Sequence, residues 1–295
     1  MRTMIPAALS LAIGLMTGCI IEQRTDGKSS TSDTANSQGS DPSDTAESIL
    51  PMATERRVIH EVFTGSNCGP CLGADAILDE VFQTTNRQYS VIKYQVGSDP
   101  YMTTEGVRRR MYYLPGEASY AIPYVHADGI YAFHPAEIND EQGYDKETLK
   151  GFADIEAPLM LGVSHTITGQ TVDFSIDWTI LDDLSSEYLV VHAAIIENKT
   201  TGNVGSNGQT EFHQVMKKMV PDEEGTAIGS QRRGDEGSLE LSYTFNGDYN
   251  PDTSYSDLVD HAAEHTVEEF EDLEVIVWVQ DSLTWDVHQS AWTAQ

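Results

Sequence analysis

Two cysteines separated by two residues are the clearest candidates for chemistry in this sequence. They form Cys68-Gly69-Pro70-Cys71, and the chain's third cysteine, Cys19, lies far away from them. A C-x-x-C pair can carry a reversible disulfide, in which one thiolate attacks a substrate disulfide and the second thiol resolves the mixed disulfide. The spacing therefore predicts thiol–disulfide exchange, with Cys68 as the nucleophile and Cys71 as the resolving thiol.

The elements around this pair place it at a strand-to-helix junction. A β-branched run at 58–63 is followed by turn-forming residues, and apolar residues then recur at helical spacing over 72–84. The free N–H groups and partial positive charge of a helix start lower the pKa of a thiol from about 8.5. Pro70 suits a first helical turn because it has no N–H to leave unpaired. We therefore expect Cys68 to ionise readily.

Two other interpretations of the pair stay open. Structural zinc sites need four ligands, often from two such pairs, but this chain has no second pair, so His60 and His126 would have to complete a site. The pair could also be an inert structural disulfide or a degenerate motif. We predict neither a metal nor any other cofactor.

The segments after the helix continue an α/β pattern. Periodicity and turn signals predict a strand, a helix, a short strand with a hairpin turn, and a last helix, at residues 89–96, 103–113, 121–129 and 146–155. With C-G-P-C after the first strand, this order resembles the thioredoxin fold, and we assign residues 55–155 to a thioredoxin-like domain.

This resemblance implies roles for residues near the cysteines. Gly69 and Pro70 match the dipeptide between the cysteines of thioredoxins. Ile122-Pro123 stands where that family places a cis-proline, which faces the dithiol and offers backbone to an extended substrate. Pro123 would then act beside the cysteines, with Asn67, Gly69, Pro70 and Ile122 forming the active-site loop. The alternative is a trans proline that opens a strand.

Two residues depart from the thioredoxin pattern. Asn67 stands where thioredoxins usually carry tryptophan, and Val62 stands where they bury an acid that relays protons. Glu61 is next to that position but points to the opposite face of the strand. Without the relay, deprotonation of Cys71 would depend on water, Glu61 or His60, and exchange would be slow.

Three consecutive arginines, Arg108, Arg109 and Arg110, occur in the second predicted helix. Successive helical positions fan out around the axis, so the three cannot form one tight anion clamp. We expect a solvated helix face, and the alternative is that one arginine lies near Cys68 and favours its thiolate.

After Pro158 the sequence changes to short alternating runs with turn signals between them. This pattern is typical of an antiparallel β-sandwich, which we assign to residues 156–295. One run places four apolar residues on one face and polar residues on the other; the apolar residues are Val172, Phe174, Ile176 and Trp178. The predicted fold class is therefore an α/β thioredoxin-like domain followed by an all-β antiparallel sandwich domain.

The N-terminus has the pattern of an exported lipoprotein. Residues 1–18 combine a basic start, a short apolar run and a small-residue cleavage site before Cys19, which resembles a bacterial lipobox. Cys19 would be lipidated, and an ordinary signal peptide with a chance cysteine is the alternative. Residues 19–54 are mostly polar and indicate a disordered tether. By resemblance to lipoprotein sorting rules, Ile20 in place of aspartate favours the outer membrane.

Several of these features together resemble one family. The lipobox, the polar spacer, residues 61–65 leading into C-x-x-C, and the tail segments 195–197 and 212–215 are similar to the outer-membrane-protein-28 family of bacterial lipoproteins. The resemblance implies a lipid-anchored, thioredoxin-like protein facing the periplasm or the cell surface. It does not identify a substrate.

The charge of the chain excludes several partner classes. Its 295 residues carry 47 acidic and 17 basic side chains, for a net charge of −30. Nucleic acids and anionic lipid headgroups both need clustered basic residues. No G-x-S-x-G, H-E-x-x-H or phosphate-binding glycine loop occurs, which disfavours hydrolase and nucleotide chemistry. We expect no nucleic acid, and contact with a membrane only through the anchor.

Two weaker candidates lie in the acidic second half. Residues 248–252 carry oxygen ligands at alternate positions but lack the glycine and distal glutamate of an EF-hand. We expect a plain acidic loop there, with calcium binding as the alternative. His213, with Glu211 nearby, could be a ligand or a base, and a surface or core histidine is the default expectation.

The sequence thus predicts a lipid-anchored extracytoplasmic thiol–disulfide oxidoreductase that acts on a protein disulfide or dithiol through Cys68 and Cys71. The alternative is a binding lipoprotein of the outer membrane or cell surface, whose thioredoxin-like domain is structural and whose β-sandwich contacts a partner. Loss of activity in a Cys68 variant would separate the two.

Overall fold

The structure is a computed structural model that describes residues 50–83, 89–114, 121–135, 152–252 and 254–293. The predicted leader, Cys19 and most of the tether lie outside the described residues, as does most of the predicted last helix at 146–155. The described residues belong to one compact unit, 48–295. Within them, no helix is both long and apolar enough to span a bilayer.

The described part of the chain contains two α-helices and fourteen strands. The helices are α1 (Gly69–Gln83) and α2 (Thr104–Tyr112). The strands are β1 (Val58–Thr64), β2 (Tyr89–Gln95), β3 (Tyr124–Ala127), β4 (Tyr131–Phe133), β5 (Leu159–Thr168), β6 (Thr171–Ile180), β7 (Leu189–Thr200), β8 (Phe212–Met219), β9 (Thr226–Ala227), β10 (Glu236–Thr244), β11 (Asp248–Tyr249), β12 (Glu264–His265), β13 (Leu273–Asp281) and β14 (Val287–Trp292).

Local signals explain why the helices start where they do. The Thr103 hydroxyl accepts a hydrogen bond from the Gly106 N–H at 3.1 Å, the N-cap arrangement that satisfies a free donor in the first turn of α2. Helix α1 begins directly after Cys68 and carries Pro70 in its first turn. These starts agree with the predicted helices within a few residues.

One large mixed sheet organises the molecule. Its strand order is β14-β13-β7-β8-β2-β1-β3-β4, with β9 paired to β7. Strands β1 and β2 are parallel, and β3 runs antiparallel to β1. The first four strands meet the later strands where β2 pairs with β8 at Lys93 and Val215. The carboxyl ends of β1 and β2 therefore lie at one edge of the sheet, which is where the C-x-x-C turn emerges.

The predicted fold class is wrong. An α/β thioredoxin-like domain followed by a separate sandwich would keep the two halves in different sheets, but β7, β8, β13 and β14 extend the sheet formed by β1 to β4. Strands make up 44% of the residues that the structure describes and outweigh the two helices. The physical reason is that an unpaired edge strand such as β2 leaves backbone donors and acceptors open, and β8 pairs with that edge at Lys93. The domain boundary near residue 155 stays a prediction, since residues 136–151 are not described.

A second, smaller sheet packs against the part of the large sheet that lies away from β1, β3 and β4. Strands β10, β6 and β5 form it, and its inner face meets β7 and β13 across an apolar cluster. Strand β6 alternates as predicted, with its even-numbered apolar residues buried: Val172, Phe174, Ile176 and Trp178. This part of the molecule is therefore a two-sheet packing in which one of the sheets is shared with β1 to β4.

The two helices cover opposite faces of the large sheet. Helix α1 contributes Leu78 and Val81 to a cluster with Val58 and Val62 of β1. On the opposite face, residues that follow α2 pack with Ile59 and Phe63 of β1. Because side chains alternate along a strand, neighbouring residues of β1 belong to different cores.

Candidate active site at the Cys68–Cys71 disulfide

The two cysteines predicted to act are bonded to each other. A disulfide joins Cys68 and Cys71, with their Cα atoms 5.3 Å apart. Cys68 is partly exposed, whereas Cys71 is fully buried in the first turn of α1. Gly69 and Pro70, between them, are exposed. The Cys68 sulfur can therefore meet a partner protein, whereas the Cys71 sulfur can react only with groups inside the protein.

The start of α1 is aimed at the outer sulfur. The Cys71 N–H donates to Sγ of Cys68 at 3.2 Å and to its carbonyl oxygen at the same distance. The Cys68 N–H donates in turn to the Gly65 carbonyl at 3.1 Å, which fixes the turn after β1. A helix N–H directed at sulfur is the arrangement that stabilises a thiolate once the disulfide is reduced.

A second backbone segment faces the disulfide from β3. The Ile122–Pro123 peptide bond is cis, and the Ile122 carbonyl oxygen lies 3.4 Å from Sγ of Cys68. A Cβ on Gly97, in the loop after β2, would lie 2.5 Å from Cδ1 of Ile122, so the Ile122 side chain packs directly over this glycine. The structure thus brings together the cysteines, Ile122 and Pro123 at one edge of the sheet.

The connection between β7 and β8, residues 201–211, closes over the C-x-x-C turn. The Asn207 N–H donates to the Ser66 carbonyl at 3.0 Å, and its Nδ2 contacts the carbonyl oxygens of Gly65 and Cys68 at 3.4 and 3.2 Å. A Cβ on Gly205 would lie 2.5 Å from the Ser66 carbonyl oxygen. We call residues 201–211 the site loop. Sequence reasoning missed it because its contacts join positions about 140 residues apart.

Asn67 takes part in the same closure. Its Oδ1 accepts from the Ser206 N–H at 2.8 Å, and its Nδ2 donates to the Ser98 carbonyl. The residue that departs from the thioredoxin pattern therefore ties the C-x-x-C turn to the site loop on one side and to the loop after β2 on the other.

Glu268 anchors the beginning of the site loop. Its carboxylate accepts from the N–H groups of Thr201 and Gly202 at 2.7–2.9 Å and from the Tyr101 hydroxyl at 2.5 Å. Burial alone would raise the pKa of Glu268, but these donors outweigh burial and lower it. The site loop is thus fastened at its base as well as at the cysteines.

Replacing Asn207 with alanine tests how firmly this loop is held. The variant loses the side-chain hydrogen bonds to Gly65 and Cys68, so we expect the free energy of unfolding to fall by about 1–3 kcal/mol. The control is Asn246→Ala, because exposed Asn246 donates a single bond to the His261 carbonyl in another turn. Urea unfolding of both variants measures the difference, and an equal loss in the two would contradict the role of Asn207.

His60, one of the two predicted proton relays, is in the wrong place. It is fully buried, with its ring centroid 5.0 Å from those of Phe82 and Tyr89. Phe82 is eleven residues after Cys71 along the helix, roughly 16 Å at 1.5 Å per residue. Burial lowers the pKa of His60 to about 3, so the ring is neutral. His60 is a core histidine.

Glu61, the other predicted relay, belongs to a buried ion pair on the opposite face from α1. Nε and Nη2 of Arg109 lie 2.7 and 2.9 Å from its two oxygens, and Tyr94 and Tyr113 also donate to it. Burial alone would raise the pKa of Glu61, but Arg109 and the tyrosine hydroxyls outweigh burial and lower it. Its oxygens are already occupied, so it has no free acceptor to offer Cys71.

The prediction that the three arginines form a solvated helix face is wrong for Arg109. Arg109 is fully buried, and its Nη2 also donates to Gln280 of β13 at 2.6 Å. Arg108 is exposed and pairs with Glu223 at 3.1 Å, while Arg110 is half-buried. The three side chains point in different directions as expected, but the direction of Arg109 leads into the core, so the helix face is not solvated throughout.

The weaker sequence candidates have local explanations. Both oxygens of Asp252 accept backbone N–H groups from its own turn, at Ser254, Ser256 and Asp257. His213 lies 3.2 Å from Glu211 in an exposed pair. No group of three or more metal-ligating side chains occurs within the described ranges, and the sulfurs needed for a zinc site are bonded to each other.

Similarity to known proteins is confined to structure. No protein-family model and no curated protein sequence matches the chain. HBP35 of Porphyromonas gingivalis matches with a TM-score of 0.58 and 14% identity, over 81% of this chain and 75% of that one. The protein AGR_C_4864 from Agrobacterium tumefaciens matches with a TM-score of 0.50 and 15% identity, over 81% and 94%.

A domain of the outer membrane lipoprotein Omp28 from Porphyromonas gingivalis also matches, with a TM-score of 0.28 and 13% identity over 46% of this chain and 86% of that one. At these identities the first two matches establish a shared fold, and the third is too weak to carry an argument. Membership of the outer-membrane-protein-28 family therefore stays a prediction.

Proposed function

We propose that the protein exchanges thiols and disulfides with a protein substrate through Cys68 and Cys71. The observation that carries the proposal is the Cys71 N–H directed at Sγ of a partly exposed Cys68 at the first turn of α1. That placement supplies both the access and the thiolate stabilisation that a nucleophilic cysteine needs. An inert structural disulfide would need neither.

The proposed reaction starts from the reduced pair. The Cys68 thiolate attacks one sulfur of a substrate disulfide, a mixed disulfide forms, and the other substrate sulfur leaves as a thiolate. The Cys71 thiolate then attacks Sγ of Cys68, which closes the Cys68–Cys71 disulfide and releases the second substrate sulfur. Two electrons pass to the substrate, and the reverse sequence oxidises a substrate dithiol. The Ile122 carbonyl, 3.4 Å from Sγ of Cys68, offers backbone next to the reacting sulfur.

Insulin reduction with dithiothreitol as the electron donor tests the proposal. The wild-type chain is expected to accelerate precipitation of the reduced insulin chains. Cys68→Ser is expected to lose this acceleration completely, because the attacking sulfur is gone. Asn246→Ala, far from the cysteines in sequence, serves as the folded control. If the wild type and Cys68→Ser gave the same rate, the protein would instead be a binding protein with a structural disulfide.

We further propose that a lipid on Cys19 holds this activity outside the cytoplasm, at the bacterial outer membrane. Support comes from the sequence, namely the short apolar leader before Cys19, Ile20 after it, and the polar segment that follows. Mass spectrometry of the N-terminal peptide of the mature protein tests this. A diacylated Cys19 is expected, and an intact leader or an unmodified cysteine would contradict it.

A further inference from the structure

A buried charged cluster lies beneath α1, behind the cysteines. The Lys93 ammonium on β2 is 3.3 Å from the carboxylate of Asp75 and 3.1 Å from that of Asp79, both on α1. The side chains of Lys93 and Asp75 are 1% and 6% exposed, whereas that of Asp79 is 32% exposed. Burial alone would lower the pKa of Lys93, but the two carboxylates outweigh burial and raise it.

Asp75 stands one helical turn after Cys71. Residues four apart on a helix lie on the same face, with their Cβ atoms about 5–6 Å apart. Both side chains are buried on the face of α1 that packs against the sheet. On that face of β1, the residue paired with Lys93 is the apolar Val62. Of the carboxylates on α1, Asp75 is therefore the one that follows Cys71 most closely on the buried face of the helix.

We propose that Asp75 accepts the proton of Cys71 when this thiol resolves the mixed disulfide, a role that rests on the thiol–disulfide exchange proposed above. The Cys71 S–H proton passes to the Asp75 carboxylate, and the thiolate attacks Sγ of Cys68. The bond between Cys68 and the substrate sulfur breaks, and this sulfur leaves as a thiolate. Asp75 then returns its proton through water to that thiolate, so charge and atoms balance.

The charges around Asp75 favour this role. Two carboxylates share one ammonium, so the cluster of Asp75, Asp79 and Lys93 carries one net negative charge and becomes neutral when it takes up a proton. Another titratable group on this face, His60, is neutral and packs near the end of the helix. A buried thiol ionises reluctantly without such an acceptor.

The site loop also reaches this carboxylate. Nε2 of Gln209 donates to Oδ2 of Asp75 at 2.7 Å, and the same nitrogen donates to the Glu211 carbonyl at 3.0 Å. Asp75 is thus held on one oxygen by Lys93 and on the other by Gln209. The hydrogen bonds fix its position behind the first turn of α1.

The test separates the two chemical steps with a chromogenic aromatic disulfide and the reduced full-length chain carrying Cys19→Ser, which serves as the wild type here because its third cysteine can release no thiolate. Attack by Cys68 releases one aromatic thiolate, and resolution by Cys71 releases a second, so two phases are seen. Asp75→Asn is expected to slow the second phase about 100-fold near neutral pH and to move its pH dependence upward, while leaving the first phase unchanged. Glu80→Gln, which changes an exposed carboxylate of the same helix outside the cluster, should leave both phases within about twofold of the wild type.

Three outcomes would overturn the role of Asp75: an unchanged second phase in Asp75→Asn, an equal slowing in Glu80→Gln, or a failure of Asp75→Glu to restore the rate. If Asp75→Asn does not fold, the wild-type second phase decides, because half-maximal rate at or above about pH 8.5 would indicate an unassisted thiol. Absence of a first phase in the wild type would instead defeat the exchange function itself. The two failures are therefore distinguishable.

Discussion

Replacing Cys71 with serine is expected to turn the protein from a turnover catalyst into a covalent trap. Cys68 remains partly exposed at the start of α1 and can still attack a substrate disulfide. Without the second sulfur, the mixed disulfide has no internal nucleophile to release it. Insulin reduction should fall to the rate measured without protein, and adducts sensitive to dithiothreitol should accumulate on non-reducing gels.

The matched control for the trap is Cys68→Ser. That variant keeps Cys71, but this residue is fully buried in the structure, so it should form no adduct. Both trap variants also carry Cys19→Ser, so that the third cysteine forms none either. Comparable adducts from both variants would mean that either sulfur can be reached and that the assigned order of attack is wrong. Absence of adducts from Cys71→Ser would mean that Cys68 is not nucleophilic toward proteins.

The second large effect concerns stability. Arg109→Gln is expected to lower the free energy of unfolding by about 3–5 kcal/mol, because it leaves the fully buried Glu61 without a cation. The same arginine links β1, α2 and β13 through Glu61 and Gln280, so its replacement removes hydrogen bonds that connect these three elements. Urea unfolding followed by circular dichroism measures the change.

The neighbouring residue on the same helix provides the control. Arg108 pairs with Glu223, and its side chain is 64% exposed, so Arg108→Gln should cost no more than about 1 kcal/mol. The double variant Glu61→Leu with Arg109→Met should be more stable than Arg109→Gln, since no charge is left buried alone. Equal losses in Arg108→Gln and Arg109→Gln would contradict the assigned burial of the pair.

Individual strands and helices could be predicted from the sequence because patterns within a few residues determine them. The β-branched run at 58–63 became β1, the helical spacing after Cys71 became α1, and strict alternation in 171–180 became β6. The turn residues between β1 and α1 predict from the sequence alone that Cys68 lies at a helix start. Each of these inferences needs contacts only within a few residues.

The arrangement of the sheet was not accessible in the same way. A strand's pattern reveals which of its faces is buried but does not identify its neighbour. Strand β2 pairs with β8 through Lys93 and Val215, 122 positions apart, and nothing in either segment specifies that partner. The shared sheet is therefore what makes the predicted fold class wrong. It also brings the site loop, which follows β7, onto the C-x-x-C turn.

One missed residue did carry a signal. Asp75 interrupts the buried face of α1, where Cys71, Leu78 and Val81 are otherwise apolar positions. A carboxylate four residues after the resolving cysteine, on a face predicted to be buried, needs a partner or a function. Arg109 carried a weaker signal, because its partner Glu61 is 48 positions away, on a strand that is otherwise mostly apolar.

Reactivity of the reduced Cys68 toward iodoacetamide, measured against pH, tests the central claim most directly. The Cys71 N–H aimed at the Cys68 sulfur should stabilise the thiolate, so alkylation should reach half its maximal rate at least about one pH unit below the 8.5 of a free cysteine. The double variant Cys19→Ser with Cys71→Ser provides a chain in which Cys68 is the one remaining thiol. Half-maximal alkylation at pH 8.5 or above would contradict the account, since the helix start would then leave the sulfur unactivated.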